Sequence, residues 1–454
     1  MNKANQSVIS RLLLLVLTLS LVLSVLSGCI GSSYVADGKA EIQQNVDSAT
    51  ENNNYEHVSD YLRQWGMPLY DTMKFKYFED VFLQIFNHNS GMPAVIDHAK
   101  MTATSFLEGY YDTIDLTDKT AVTDALLNCY VGALSDPYSA YRPPVEAEEF
   151  STDMSGKFGG IGVIVEYNDT DESIMISTVY PGSPAEDAGI KVGDFLYAVD
   201  GMTVEEIGYQ NAINYVRGEI GSSVELTMLR GDELVTVTAI RAEVEEINVS
   251  YDIDTENNIG YVRIVSFKDN TFSQFKTAID SLEAEGVDGI IFDLRSNPGG
   301  YVNSVVDVVS YLIPDGNVVI SYAYRDRPEN ITLSQDSGED HVVDLPFVVL
   351  CDMYTASSAE IFTAAMRDYD DMGLVRATIV GTTTYKKGVI QNTYYYPFDM
   401  STVTLTVAYY KPPCGVNFDG VGITPDVYVE YDGGEIDNQL EVGIEELMSL
   451  INAN

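Results

Sequence analysis

The sequence is short of positive charge: 25 Lys and Arg stand against 69 Asp and Glu, a formal net charge of -44. A surface that binds nucleic acid needs a basic face, so that class of partner is excluded. Histidine and cysteine number four each in 454 residues, and no Cys-x-x-Cys or clustered His/Cys spacing occurs. Neither a zinc or other metal site nor a disulfide framework is expected. The phosphate-loop pattern ending in Gly-Lys-Ser/Thr and the Gly-x-Gly-x-x-Gly pattern are both missing, which argues against a nucleotide site, and no cofactor is expected. Apolar residues, in contrast, make up 45% of the chain, enough to supply the cores of two or three domains. The acidic excess reads as a solvated surface.

At the amino terminus Lys3 and Arg11 precede the apolar run Leu12 to Leu26, which ends in Ser27-Gly28-Cys29. A charged start, a short apolar stretch and a small-residue exit make an export signal, and the run is too short for a comfortable membrane span. Leu26-Ser27-Gly28-Cys29 resembles the bacterial lipobox. The resemblance implies that Cys29 is acylated and becomes the first residue of a lipoprotein on the outer face of the cytoplasmic membrane or elsewhere in the cell envelope, so the membrane is an expected partner through the lipid. Residues 1–28 are then a signal peptide and 29–54, polar and rich in Ser, Asn, Gln and Asp, a flexible linker. The other cysteines, Cys129, Cys351 and Cys414, are odd in number and cannot all pair within the chain.

Residues 55–152 read as helical. Phe78, Val81, Phe82, Ile85 and Phe86 recur at spacings of three and four, as do Ala125, Leu126, Cys129, Tyr130 and Ala133. Residues 153–245 change character. A glycine turn, Gly159-Gly160-Ile161-Gly162-Val163, opens the segment; strands at Ile174 to Val179, Lys191 to Gly201, Val224 to Arg230 and Leu234 to Ile240 follow, with a short helix after Pro181-Gly182-Ser183-Pro184 and a second at Glu205 to Arg217. Successive unshielded N–H groups in such a glycine turn form a nest for a carboxylate. The ordered series Gly-Ile-Gly, Pro-Gly-Ser-Pro-Ala-x-x-Ala-Gly-Ile, Val-Gly-Asp, Val-Asp-Gly resembles a circularly permuted PDZ domain of bacterial proteases. By that resemblance Gly160, Ile161, Gly162 and Val163 hold the terminus of an extended peptide, and Glu205 to Arg217 forms the other wall of its groove.

Residues 246–432 alternate strand and helix, and 433–454 form a C-terminal helical segment. The buried strand Val287 to Leu294 ends in Asp293-Leu294-Arg295-Ser296-Asn297-Pro298-Gly299-Gly300, a turn able to aim a peptide N–H at a developing oxyanion. A second apolar strand, Leu345 to Leu350, breaks at Asp352 to Thr355, and a helix opens near Ser357. Two readings of Ser357 stand side by side: a hydroxyl that caps the helix, or a nucleophile displayed past the sheet edge. Further on come Lys386-Lys387-Gly388-Val389-Ile390-Gln391 and Gly422-Ile423-Thr424-Pro425-Asp426. The polar, acidic stretch Tyr322 to Val342 looks like an insertion, and no role is derived for it.

Taken in order from about Leu134 to Val429, these motifs resemble the C-terminal processing peptidases, a family of tail-specific serine proteases with a PDZ domain and a Ser/Lys dyad. The resemblance implies a multidomain α/β fold: a helical N-terminal region, a permuted, mainly β PDZ domain, and a crotonase-like β/α protease core. It also implies Ser357 as nucleophile, Lys387 as general base, Gln391 as the partner that orients it, and an oxyanion hole from the N–H of Ser358 and that of Gly299 or Gly300. Gln391 lies four residues after Lys387 in an expected strand, so both side chains would face one side. The expected partners are protein or peptide substrates with free C-termini. Two departures stand out: Lys386 replaces the family's usual glycine, and Lys387 follows Ser357 by 30 residues, a few more than is usual. His57, His88, His98 and His341 sit in no motif, which speaks against a Ser-His-Asp triad. The alternative function is a catalytically silent PDZ-type scaffold lipoprotein that binds tails without cutting them.

Overall fold

The computed structural model describes residues 38–50, 57–85, 95–168, 172–324, 330–333, 343–434 and 436–453. The expected signal peptide, Cys29 and most of the expected insertion lie outside the described residues. The chain divides into two compact units, Met1–Ala147 with Gln391–Val407, and Glu148–Ile390 with Ala408–Asn454.

The first unit is built on the helices Val58–Gln64, Thr72–Ile85, Val95–Gly109 and Lys119–Gly132. Phe75, Phe78 and Phe82 are buried, with Val81 and Ile85 at the margin of that stripe; all five apolar residues of the second stripe, Ala125 to Ala133, are buried. Asp118 starts the last helix by accepting from the N–H groups of Thr120 and Ala121. Residues 38–48 are also helical, with Ile42 and Val46 buried, where the polar composition predicted a flexible linker through residue 54. The reason is spacing: two apolar residues one helical turn apart suffice to dock a short helix whose remaining faces are polar. Strand Ala140–Arg142 pairs antiparallel with the first residues of strand Thr402–Lys411, so part of the region assigned to the protease core folds with the helices.

In the second unit the PDZ strands run Val163–Asn168, Ser173–Val179, Phe195–Val199, Ser223–Arg230 and Glu233–Ile240, side by side in that order, around Ile161, Ile174, Ile176, Leu226 and Met228. The single helix expected over Glu205 to Arg217 is two, Val204–Ile207 and Tyr209–Val216, because Gly208 at φ 77° breaks it. Below the PDZ strands in sequence comes a six-stranded sheet ordered Val249–Asp254, Ile259–Ile264, Ile290–Asp293, Pro346–Cys351, Arg376–Gly381, Val427–Tyr428, antiparallel at the first pair and parallel thereafter. Alternate residues serve opposite faces. Ile290, Phe292, Phe347 and Val349 pack with the helices Thr271–Glu285, Val302–Ser310 and Ser358–Asp371, while Ile291, Val348, Leu350 and Val380 pack with Leu447 of the helix Asn438–Asn452. The C-terminal helix is therefore a wall of the core and not an appendage to it.

Candidate active site

Strand Pro346–Cys351 is buried at every position and runs into a turn that delivers the helix Ser358–Asp371. Asp352 organises the turn: its Oδ1 accepts the N–H groups of Tyr354, Thr355 and Ser296 at 2.9 to 3.0 Å. Thr355 donates its hydroxyl to the Leu294 carbonyl at 2.9 Å and accepts the Asp352 N–H at the same distance. Ser357 follows at φ 54°, ψ -115°. A capping serine is extended. Ser357 instead occupies a sparsely allowed conformation that is strained for any residue with a Cβ, the kind of strand-to-helix turn that exposes a nucleophilic hydroxyl.

The glycine turn meets this serine. Asn297 is fully buried; its Nδ2 donates to the Ile264 carbonyl at 2.8 Å, its Oδ1 accepts the Gly299 N–H at 2.8 Å, and its carbonyl accepts the Ala356 N–H at 2.9 Å. Gly299 has φ 98°, and a Cβ there would lie 2.8 Å from the Ser357 Cβ and 2.9 Å from the Ser358 nitrogen. Only glycine permits that approach. The Ser358 hydroxyl donates to the Gly300 carbonyl at 2.9 Å, closing the contact. Asn297 takes the Gly299 N–H, whereas the neighbouring N–H groups of Gly300 and Ser358 meet no acceptor among the described residues. Sequence left Gly299 and Gly300 equivalent; the Asn297 side chain separates them.

Lys387 is half-buried in the loop ahead of strand Val389–Tyr395, not within it. Strand alternation alone therefore does not relate it to Gln391, unlike the expectation that both lie in one strand. Gln391 falls in the part of the chain that folds with the helical unit, where its amide lies 3.4 Å from the Thr406 hydroxyl. Lys386 is exposed, with φ 84°.

Two residues without an assigned role tie the serine turn to the lysine loop. Glu360 is fully buried; Oε2 accepts the N–H groups of Ser357 at 2.9 Å and Lys387 at 2.8 Å, and Oε1 accepts the Lys386 N–H at 2.7 Å and the Thr384 hydroxyl at 2.5 Å. Burial pushes its carboxyl above the ordinary value, against the pull of these four donors. The Tyr410 hydroxyl, also buried, faces the carbonyl oxygens of Ser357, at 3.0 Å, and of Lys387. Glu360 was visible in the sequence as the acidic residue three after the serine, the spacing of a capping box. Tyr410 carried no signal, because nothing local marks a tyrosine that bonds to residues 53 and 23 positions away.

Gly160, Ile161, Gly162 and Val163 line a cavity of about 530 Å³ together with Tyr209 and Ile213. Among the described residues, strand Val163–Asn168 pairs on one side only, with Ser173–Val179, and so presents a free edge there. Of the histidines, His98 is buried against Tyr130 in the helical unit and His57 lies beside Glu79; His88 and His341 are outside the described residues. Cys129, Cys351 and Cys414 are free thiols, and burial pushes Cys129 up to about 12. Among the described residues no group of three or more His, Cys, Asp or Glu side chains is arranged to hold a metal ion.

A small β domain with a glycine turn lining its cavity, joined to an α/β layer that carries a strained serine on the turn of a central strand, has the architecture of a PDZ-bearing peptidase. Residues 258–429 match the model of Peptidase family S41, and residues 175–230 match a PDZ domain. The carboxy-terminal processing protease CtpA of Bacillus subtilis is 33% identical over 319 residues, 70% of this chain and 66% of that protein. The carboxy-terminal-processing protease of Bartonella bacilliformis is 32% identical over 305 residues, 65% of this chain and 67% of that protein. A solved S41 protease structure from Bacteroides fragilis shares the fold, with a TM-score of 0.52 at 17% identity over 82% of this chain and 97% of that one. The chain belongs to peptidase family S41. It spans 60 to 67% of the length of the curated relatives it matches.

Proposed function

We propose that this chain is a serine endopeptidase that cuts exported proteins near their C-termini, with Ser357 as nucleophile, Lys387 as general base and Gln391 orienting the amine. One observation carries the reading: Ser357 stands at φ 54° on a strand-to-helix turn beside the unaccepted N–H groups of Gly300 and Ser358. In the proposed cycle neutral Lys387 takes the hydroxyl proton as Ser357 Oγ attacks the scissile carbonyl, and the two N–H groups stabilise the oxyanion. Collapse breaks the C–N bond, and the lysine ammonium returns its proton to the leaving amine. Water then attacks the acyl-enzyme with Lys387 again as base. A lysine at its ordinary pKa is protonated at neutral pH, so the reading requires that the site favour the neutral amine.

The PDZ groove takes the substrate tail as an added strand along Val163–Asn168, its carboxylate in the Gly160 to Val163 turn. Capture and cleavage on one chain raise the effective concentration of the tail at Ser357. Acylation of Cys29 holds the protein at the outer face of the cytoplasmic membrane; Cys29→Ser is expected to move it from the membrane fraction to the soluble one. The central test is cleavage of an unfolded substrate by wild type, Ser357→Ala and Lys387→Ala. Both variants are expected to be inactive, and undiminished cleavage by either one sinks the dyad.

A further inference from the structure

Ser357 and Lys387 are far apart in sequence, yet each is tied at both ends by the same two side chains. Their N–H groups share Glu360 Oε2, and their carbonyl oxygens share the Tyr410 hydroxyl. A residue bonded at one end alone can still pivot about the other. Bonded at both, its Cα position and the direction of its Cβ are set together.

We propose that Glu360 and Tyr410 are positioning residues that set the approach of the Lys387 amine to the Ser357 hydroxyl by clamping the backbone of both. The inference rests on the Ser357/Lys387 reading given above. An ordinary helix-start glutamate needs only the bond back to the residue three before it. That leaves unexplained why the same carboxylate also receives the Thr384 hydroxyl and the Lys386 and Lys387 N–H groups. Strain gives the reason. Ser357 and Lys386 both have positive φ, 54° and 84°, and both donate their N–H to Glu360. Bonds to an ionised acceptor are stronger than neutral ones, and they hold both residues where unassisted backbone would relax. Tyr410 serves the other end from a buried ring that packs edge-on against Phe418, with centroids 5.1 Å apart. Phenylalanine at 410 keeps that packing and loses the hydroxyl.

The test compares Glu360→Gln, Tyr410→Phe and the double variant with wild type, using kcat and KM on a tail-bearing unfolded substrate, the labelling rate of Ser357 by a fluorophosphonate probe, and amide hydrogen exchange at Ser357 and Lys387. Glutamine offers one acceptor oxygen where four donors converge. The clamp predicts that kcat and labelling fall about 100-fold in Glu360→Gln and about 10-fold in Tyr410→Phe, with KM within about 3-fold of wild type. The double variant should lose less than the product of the two, since both act on one geometry. Wild-type kcat in Tyr410→Phe, or losses that multiply independently, overturns the proposal, and Tyr410→Phe decides the matter if Glu360→Gln does not fold. If the wild type is not labelled at Ser357, the catalytic reading fails by itself, and exchange still judges the clamp. Faster exchange of both amides in Glu360→Gln supports it, and equal exchange overturns it.

Discussion

Lys386 occupies φ 84° where the resemblance leads one to expect glycine, and its side chain is exposed. A non-glycine residue there carries strain on the order of 1 kcal/mol or more. Lys386→Gly is expected to stabilise the protein by about 1 kcal/mol after allowing for the freer unfolded chain, measured as a shift in denaturant midpoint without a change in slope. Gly299 gives the opposite case. A methyl group there would meet the Ser357 Cβ, so on the proposed mechanism Gly299→Ala should displace the Ser357 hydroxyl and cost about 100-fold in kcat. Retention of activity by Gly299→Ala would show that the turn can yield. Glu360 adds an electrostatic point at the same scale. Its folded pKa is raised, so its titration favours the folded state most below the unfolded value, near 4.3, and that contribution is lost as pH rises through the folded pKa.

Between elements, the decisive link is Arg295. Its guanidinium holds buried Asp293 at the end of strand Ile290–Asp293, with Nη2 2.7 Å from Oδ2, and reaches Asp437 at the start of helix Asn438–Asn452, also at 2.7 Å. Tyr261 and Arg263 complete the shell around Asp293. Burial alone would raise the Asp293 pKa; Arg295 and the other donors overcome it, and the net shift is downward. Asp437 is also lowered, chiefly by Arg295. A depressed folded pKa contributes stability that is complete above the unfolded value, near 3.9, and lost as pH falls through the folded one. Arg295→Met leaves Asp293 buried without its main cation and should cost about 3 kcal/mol at pH 7. In urea melts at pH 7 and pH 3, the gap between this variant and wild type should narrow at the lower pH. A gap that stays constant would remove the electrostatic account.

For the whole molecule, the question is what the PDZ groove does for the serine. Val163 is half-buried on the free-edged strand and lines the cavity, so Val163→Glu should spoil tail capture without emptying the core. Cleavage of a substrate with an apolar tail is expected to fall about 100-fold, and that of a tailless unfolded substrate to stay near wild type, if the groove only delivers. Equal loss for both substrates would mean that the groove controls the site itself.

The sequence by itself determined the order of the parts: helical stripes, PDZ turns, the two strand-turn stretches at Asp293 to Gly300 and Leu350 to Ser357, and the Lys386 to Gln391 segment. These are legible because hydrophobic period and glycine or proline turn chemistry act over a few residues. Its local pattern at Ser357 read first as an ordinary helix cap, and only the motifs around it in order pointed to a nucleophile. Tertiary structure alone distinguished the Gly299 N–H, taken by the Asn297 side chain, from that of Gly300, set Lys387 ahead of its strand, and made the C-terminal helix a wall of the sheet. It also joined Glu360 and Tyr410 to both members of the proposed dyad. Each of these outcomes depends on groups distant in sequence being brought within hydrogen-bond or packing range, and no local pattern encodes that approach.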